Sequence, residues 1–437
     1  MRMGPAVDVE VVTVDLVFSS QFGALQTAFQ RAGISIEIAY TPAGEAAYLY
    51  HVGRLLATRE IAQEVVNLLP GAFEAGKEEQ PTDSSLVVLD IERLDDGYRT
   101  VPDALDFLDE RLHTKERTPL PGSSAVTPVH VLHISNGVSP DTVSGRLCPY
   151  GEPSVPTPGS GSRPYPPVDD ERGDGAGVLI GICDTGLLAD HSSAPWLAGA
   201  AGETDSLGQR LPGGLYSIPL YCGHGTFAAG VARCEAPGSE IYVSNPFTHG
   251  GGLLETKLVA AIEQLIARDP APKIINLSAG GSTRNGFSPL SFAPVKQRLG
   301  EIVLVAAAGN DASSAPFWPA AFDWAVSVGA LGSDLAHHAT FTNYGPWVDV
   351  YAPGEGLVNA FATGVYTYQE PPRRPGTATF RGLAVWQGTS FAAPLVAGRI
   401  ATEMTRSRVS ASVAWANLRA YAKAHPTSAG VTALLPG

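Results

Sequence analysis

Apolar positions change rhythm several times over the first third of the chain. Val9–Phe18 and Ile34–Tyr40 have strand-like spacing, and Ala24–Arg31 between them is helical. Helical periodicity returns over Arg59–Leu69. Ser85–Arg93 is predicted as a strand and Val101–Leu112 as a helix with acidic residues on its wet face. A further strand-like piece, Pro128–Ile134, follows a turn containing Pro, Ser and Gly. This mixed order predicts a small α+β domain over residues 1–147, and its pattern contains no catalytic constellation.

From Val178 onward the rhythm is different. Val178–Cys183, Lys273–Leu277 and Ile302–Ala307 are continuous apolar runs, and helical segments at Gly225–Ala232, Glu255–Ala267 and Ser291–Arg298 alternate with them. Buried strands separated by helices predict an α/β domain, residues 176–437, with a parallel sheet covered on both faces. Functional residues in such sheets gather beyond the carboxyl ends of the strands. Between the two domains, residues 148–175 are rich in Pro, Gly and Ser, which predicts a linker and the preferred place for proteolytic nicking. Gly175, Gly177 and Gly181 do not form a dinucleotide loop. They precede and enter a strand, whereas a phosphate loop must follow one and open a helix.

Composition narrows the function classes. A net charge of −14 argues against nucleic acid or an anionic membrane as the main partner. No apolar run is long enough to span a bilayer. Asp8, Glu10 and Asp15 interrupt the N-terminal apolar stretch, so a secretory signal is not expected and a cytoplasmic location is. The four cysteines, Cys148, Cys183, Cys222 and Cys234, lack zinc-ligand spacing and read as reduced thiols. His191, His337 and His338 also lack ligand spacing.

Four polar residues then stand out in chain order. Asp184 ends an apolar strand in Asp-Thr-Gly, and alone it reads as a loop cap. His224 opens a small-residue helix between Gly223 and Gly225, which leave room for something to approach the ring. Asn310 follows another apolar strand in Ala-Gly-Asn-Asp, by itself an ordinary turn. Ser390 follows Gly388-Thr389 and opens the apolar segment Phe391–Thr402. There it sits at the positive end of a helix, with its own backbone N–H available to a developing oxyanion. Together they supply a nucleophile, a base, a carboxylate to fix the imidazole and an amide donor. The order Asp, His, Ser is that of subtilisin, and no Gly-x-Ser-x-Gly elbow surrounds Ser390.

On these three blocks, Asp-Thr-Gly, His-Gly-Thr and Gly-Thr-Ser-x-Ala-x-Pro, residues from about 178 to 435 resemble the subtilisin-like serine peptidases (subtilases). The resemblance implies that Asp184 orients His224, that His224 takes the proton of Ser390, and that Asn310 and Ser390 donate to the oxyanion. It also implies that Ser278, Ala279 and Gly280 form one substrate-binding edge, with Asn276 a polar partner near the site. Gly250, Gly251 and Gly252 would form the facing edge, so that peptide binds by strand addition.

The departures matter equally. Ser192-Ser193 and the compact Ala236-Pro237-Gly238 stand where the family draws calcium ligands, so no cofactor and no calcium are expected. Phe317 stands where the family forms the back of the pocket for the residue before the cut, and is expected to shorten it. Val365–Arg381 reads as an insertion, either a lid, a partner loop or a solvated loop. Cys183 and Cys222 beside the acid and base suggest either a redox switch or small buried hydrophobes, the latter favoured.

The implied activity is that of a serine endopeptidase acting on peptides or proteins. The N-terminal unit resembles a propeptide in position and is larger than usual. A permanently attached regulatory domain that binds a protein partner is the competing reading. The layout resembles a group of bacterial subtilases without export signals. A catalytically silent binding scaffold and a serine esterase are the rival functions, and His224 with Asn310 excludes acid-acting sedolisin chemistry.

Overall fold

A computed structural model describes residues 9–91, 100–116, 122–134, 151–157, 173–248, 250–370 and 373–436, with side chains from residue 20 onward. The first unit contains helix α1 (Val9–Arg31), strands β1 (Ile36–Tyr40) and β2 (Ala46–Thr58), and helix α2 (Ala62–Leu68). Strands β3 (Ala72–Glu74) and β4 (Leu86–Ile91), helix α3 (Val101–Leu112) and strand β5 (Val126–Ile134) follow. Its sheet is antiparallel, β2 lying between β4 and β5 with β1 also paired to it. Thr100 and Asp103 close a reciprocal capping box that starts α3 where the apolar periodicity starts.

One expectation fails here, and one strand was not predicted. Val9–Phe18 is the first half of α1, not a strand. Its β-branched residues favour a strand only weakly, and the segment runs without a breaker into a half that docks as helix through Leu25 and Phe29. The 13-residue strand β2 escapes the pattern because His51, Gly53 and Arg54 interrupt its apolar run.

The second unit opens with β6 (Leu179–Cys183), β7 (Leu187–Leu188), β8 (Ala201–Gly202), β9 (Thr204–Asp205) and β10 (Ser217–Ile218). Then come α4 (His224–Glu235), β11 (Glu240–Ser244), β12 (Gly252–Leu254) and α5 (Glu255–Ile266). Next are β13 (Ile274–Leu277), β14 (Ala279–Gly280), α6 (Val295–Leu299), β15 (Val303–Ala307), β16 (Val326–Leu331) and β17 (Val350–Pro353). Strands β18 (Leu357–Thr367) and β19 (Thr377–Trp386) and helices α7 (Thr389–Ser407) and α8 (Ala411–Ala424) complete the chain.

Seven of these strands form a parallel sheet in the order β17-β16-β15-β13-β6-β11-β8. Ile180, Ile182, Ile274 and Val305 pack on one face against Phe227 of α4 and Leu395 and Val396 of α7. Cys183, Ile275, Leu277 and Leu304 pack on the other against Leu258, Ile262 and Leu265 of α5 and Val295 of α6. Each fully buried side chain of this size contributes roughly 1.5–3 kcal/mol. The fold is thus α/β with helices on both faces. Of the insertion read at Val365–Arg381, residues 365–367 and 377–381 lie in β18 and β19, which pair antiparallel.

The stretch read as a linker is partly docked. Residues 151–157 lie along β19, where Ser154 exchanges backbone hydrogen bonds with Val385 and Trp386 Nε1 donates to the Gly151 carbonyl at 2.8 Å. The Glu152 carboxylate is buried and accepts from Tyr366 Oη and the N–H groups of Gln369 and Glu370.

Candidate active site

Asp184, Ser278 and Asn310 follow the carboxyl ends of β6, β13 and β15, which the parallel register brings side by side. His224 is the first residue of α4 and Ser390 the second of α7. The glycines beside His224 serve packing rather than access to the ring. Gly223 has φ +89°, and a Cβ on it would meet the Phe361 ring at 2.7 Å; one on Gly225 would meet the Gly186 carbonyl at 2.5 Å.

Nδ1 of His224 lies 2.8 and 2.9 Å from the two Asp184 oxygens, and both residues are buried. Asp184 also accepts from the Thr185 N–H at 2.8 Å. The imidazole packs against Phe391, with ring centroids 4.9 Å apart, and edge-on against Trp386 at 5.3 Å. Ser390 Oγ donates to the Ser278 carbonyl at 3.3 Å, and Ser278 Oγ donates back to the Ser390 carbonyl at 2.7 Å. Asn276 Nδ2 donates to Ser278 Oγ at 3.0 Å, so it supports the serine from one residue away.

The Asn310 carbonyl oxygen accepts from both the N–H and Oγ1 of Thr389, at 2.8 and 2.9 Å. This fixes the amide with Nδ2 toward Gly388, 3.2 Å from where a Cβ would stand on that residue. Gly388 has φ +142°, a conformation suited to glycine.

Asp205 carries no local mark in the chain. Its Oδ2 accepts from Thr185 Oγ1 at 3.0 Å and the Gly223 N–H at 2.6 Å, while Thr185 Oγ1 accepts from the Gly225 N–H at 3.0 Å. Both peptide groups flanking His224 are therefore tied down. Burial pushes the Asp205 carboxyl up to about 6, and the Gly223 N–H opposes that rise. Trp386 was equally silent, and Thr185 and Thr389 stood out only as members of the Asp-Thr-Gly and Gly-Thr-Ser blocks, since nothing in local spacing marks a residue that acts by supporting another. Burial also pushes the Cys183 thiol up to about 12 and raises that of Cys222. Thiols held neutral in this way pack as small hydrophobes. Cys148 lies outside the described residues.

The two predicted peptide edges face each other across β5. Gly252, Leu253 and Leu254 pair antiparallel with His133, Leu132 and Val131, while Ala279 and Gly280 pair with Ile134 and His133. The Ile134 N–H donates to the Gly251 carbonyl at 2.8 Å. A segment of the N-terminal unit thus fills the groove as its middle strand. Phe317 is buried, with its ring between Gly280 and Gly309.

Other contacts hold the N-terminal unit there. Leu25 and Phe29 of α1 close over Gly252. His130 of β5 meets Glu255 of α5 at 2.8 Å, both buried, and Arg284 reaches Asp106 and Asp109 of α3. Gln21 Nε2 donates to Glu370 Oε1 at 2.6 Å. Among the described residues no group of three or more His, Cys, Asp and Glu is arranged to hold a metal, and no helix is long and apolar enough to cross a membrane.

Residues 175–428 match the family model described as the subtilase family. The chain belongs to the subtilase family. It is 29% identical to subtilisin DY of Bacillus licheniformis over 60% of this chain and 86% of that protein. It is 31% identical to thermitase of Thermoactinomyces vulgaris over 52% of this chain and 74% of that one. The match to a thermophilic serine proteinase of Bacillus sp. (strain AK1), 32% identical, spans 42% of this chain and less than half, 43%, of that relative. Fervidolysin from Fervidobacterium pennivorans, a keratinolytic enzyme related to subtilisin, shares the fold with a TM-score of 0.52 at 18% identity, over 86% of this chain and 57% of that one. This subtilase is a serine-type endopeptidase, and its substrates are peptides or proteins.

Proposed function

We propose that this subtilase cuts peptide bonds through an acyl-enzyme on Ser390, with His224 as base, Asp184 as its orienter and Asn310 as oxyanion donor. The carrying observation is the His224–Asp184 contact to both carboxylate oxygens, which fixes Nδ1–H and directs Nε2 as the proton acceptor. Ser390 Oγ gives its proton to Nε2 and bonds to the substrate carbonyl carbon. The carbonyl oxygen takes the charge, facing Asn310 Nδ2 and the Ser390 N–H. The C–N bond then breaks as His224 returns the proton to the leaving amine, and water repeats the sequence to free the acid.

We propose further that residues 1–147 act as a self-cleaved inhibitor. Support comes from β5, which occupies the groove as a strand between both edges, and from residues 151–157, which are docked on β19. The cut then falls between Ile134 and Gly151. A cytoplasmic location and independence of calcium complete the proposal.

Intact mass of wild type and Ser390→Ala after treatment with a fluorophosphonate tests this. The expected result is a wild type labelled once and shortened in that interval, and a mutant that stays full-length and unlabelled. Labelled but full-length wild type refutes self-cleavage and leaves a permanent domain. No label after trypsin has nicked the connection refutes the nucleophile and favours a silent scaffold.

A further inference from the structure

The strand in the groove also gives the register for substrate. Because Gly280 faces His133 and Ala279 faces Ile134, a substrate strand in the same register carries its next residue opposite Ser278. The Ser278 carbonyl is the group that Ser390 Oγ contacts. A substrate bound in this register therefore presents to Ser390 the carbonyl of the residue opposite Ser278, directly after the one that stands where Ile134 is.

Strand side chains alternate, so that residue points to the same side as Val131 and His133. Leu132 and Ile134 point the other way, into the cluster with Tyr221, Leu253 and Leu258. On the Val131 and His133 side stands Phe317. Its ring fills the gap between the peptide edge and the turn that carries Asn310. A Cβ on Gly280 would overlap it, and one on Gly309 would come within 2.9 Å of Cγ and Cδ2. Its neighbour Trp318 exchanges backbone hydrogen bonds with Gly281 at 2.9 and 3.0 Å, so the ring is held by the edge it blocks.

We infer that Phe317 closes the pocket for the residue before the cut, so that this peptidase cuts after alanine, serine or glycine and rejects large side chains there. Leucine-sized residues are taken three positions further upstream, where Leu132 lies. In the sequence Ile134 is followed by Ser135, a small residue, which lies outside the described residues. The inference rests on the peptidase reading and specifies its substrate.

The test uses the self-processed wild type, titrated with fluorophosphonate, on Leu-His-Ile-Xaa p-nitroanilides with Ala, Ser, Leu or Phe at Xaa. The expected kcat/KM favours Ala and Ser over Phe by at least about 100-fold. Phe317→Ala should narrow that ratio at least about tenfold by raising turnover of the Phe substrate, and Phe317→Leu serves if the alanine variant does not fold. A labelled wild type that cuts after Phe within about threefold of Ala overturns the inference and leaves the peptidase standing, as does a folded variant with an unchanged ratio. A wild type that takes no label and cuts none of the four overturns both.

Discussion

The N–H of Gly223 donates to Asp205 Oδ2 over 2.6 Å, immediately before His224 in the chain. The same oxygen holds Thr185, which grips the other side of His224 through Gly225. A misplacement of the base by about 1 Å can cost on the order of 100-fold in rate. Asp205→Ala should therefore lower kcat about 100-fold with KM nearly unchanged, and Asp205→Asn, which keeps an acceptor, should lose about tenfold. Equal loss in both, or a loss confined to KM, would show that Asp205 does not position the base.

Asn310 is oriented by Thr389 before any substrate arrives. In its proposed role as oxyanion donor, its removal lowers turnover roughly 10²–10³-fold. Asn310→Ala should do so in kcat while Ser390 still takes the fluorophosphonate, measured by labelling and steady-state kinetics on one preparation.

Glu370 is buried beside Glu152, and burial pushes its carboxyl up to about 7 from an ordinary 4.5. Gln21 and Arg373 oppose that rise without reversing it. Between pH about 4.5 and 7 the folded state thus holds a proton that the unfolded state has lost. Stability falls as pH rises through this window. Glu370→Gln should flatten that fall by about 3 kcal/mol or less. Denaturant titrations of the full-length Ser390→Ala chain at pH 5 and 8 measure it, and an unchanged slope with pH would count against it.

Arg284 is largely buried and pairs with Asp106 and Asp109 across the two units. Arg284→Met should loosen the N-terminal unit and speed fluorophosphonate labelling of unprocessed protein. An unaltered labelling rate would place the restraint elsewhere, in β5 and α1.

Melting curves in EDTA and in millimolar calcium should coincide. A rise of many degrees with calcium would reveal a site that the chain's Ser192-Ser193 and Ala236–Gly238 segments do not suggest.

The parallel sheet was legible because buried parallel strands are long apolar runs, and β6, β13 and β15 are such runs. The positions of Asp184, His224, Asn310 and Ser390 in the fold were legible because each terminates or opens a regular element. What stayed hidden depends on distant pairing. Strand β5 looks unremarkable in sequence, and only the edges at Gly252 and Ala279 make it a cleft occupant. Glu152 lay inside a stretch whose composition signals a linker, yet Tyr366 and the hairpin bury it. Only the first half of α1, Val9–Phe18, was misread, because its β-branched residues favour a strand locally, whereas Ala24–Arg31, which docks on Gly250 and Gly252, was read as helix.

Strand β5 belongs to both units at once, a centre strand in the groove and a member of the N-terminal sheet. While the chain is continuous, it meets the groove at an effective concentration on the order of millimolar, whatever the amount of protein present. Once the chain is severed the same contacts become bimolecular, and occupancy of the groove follows the actual concentration of the released piece. Under the proposed self-cleavage, dilution then acts as an activator, and crowding many copies into a small volume keeps them silent.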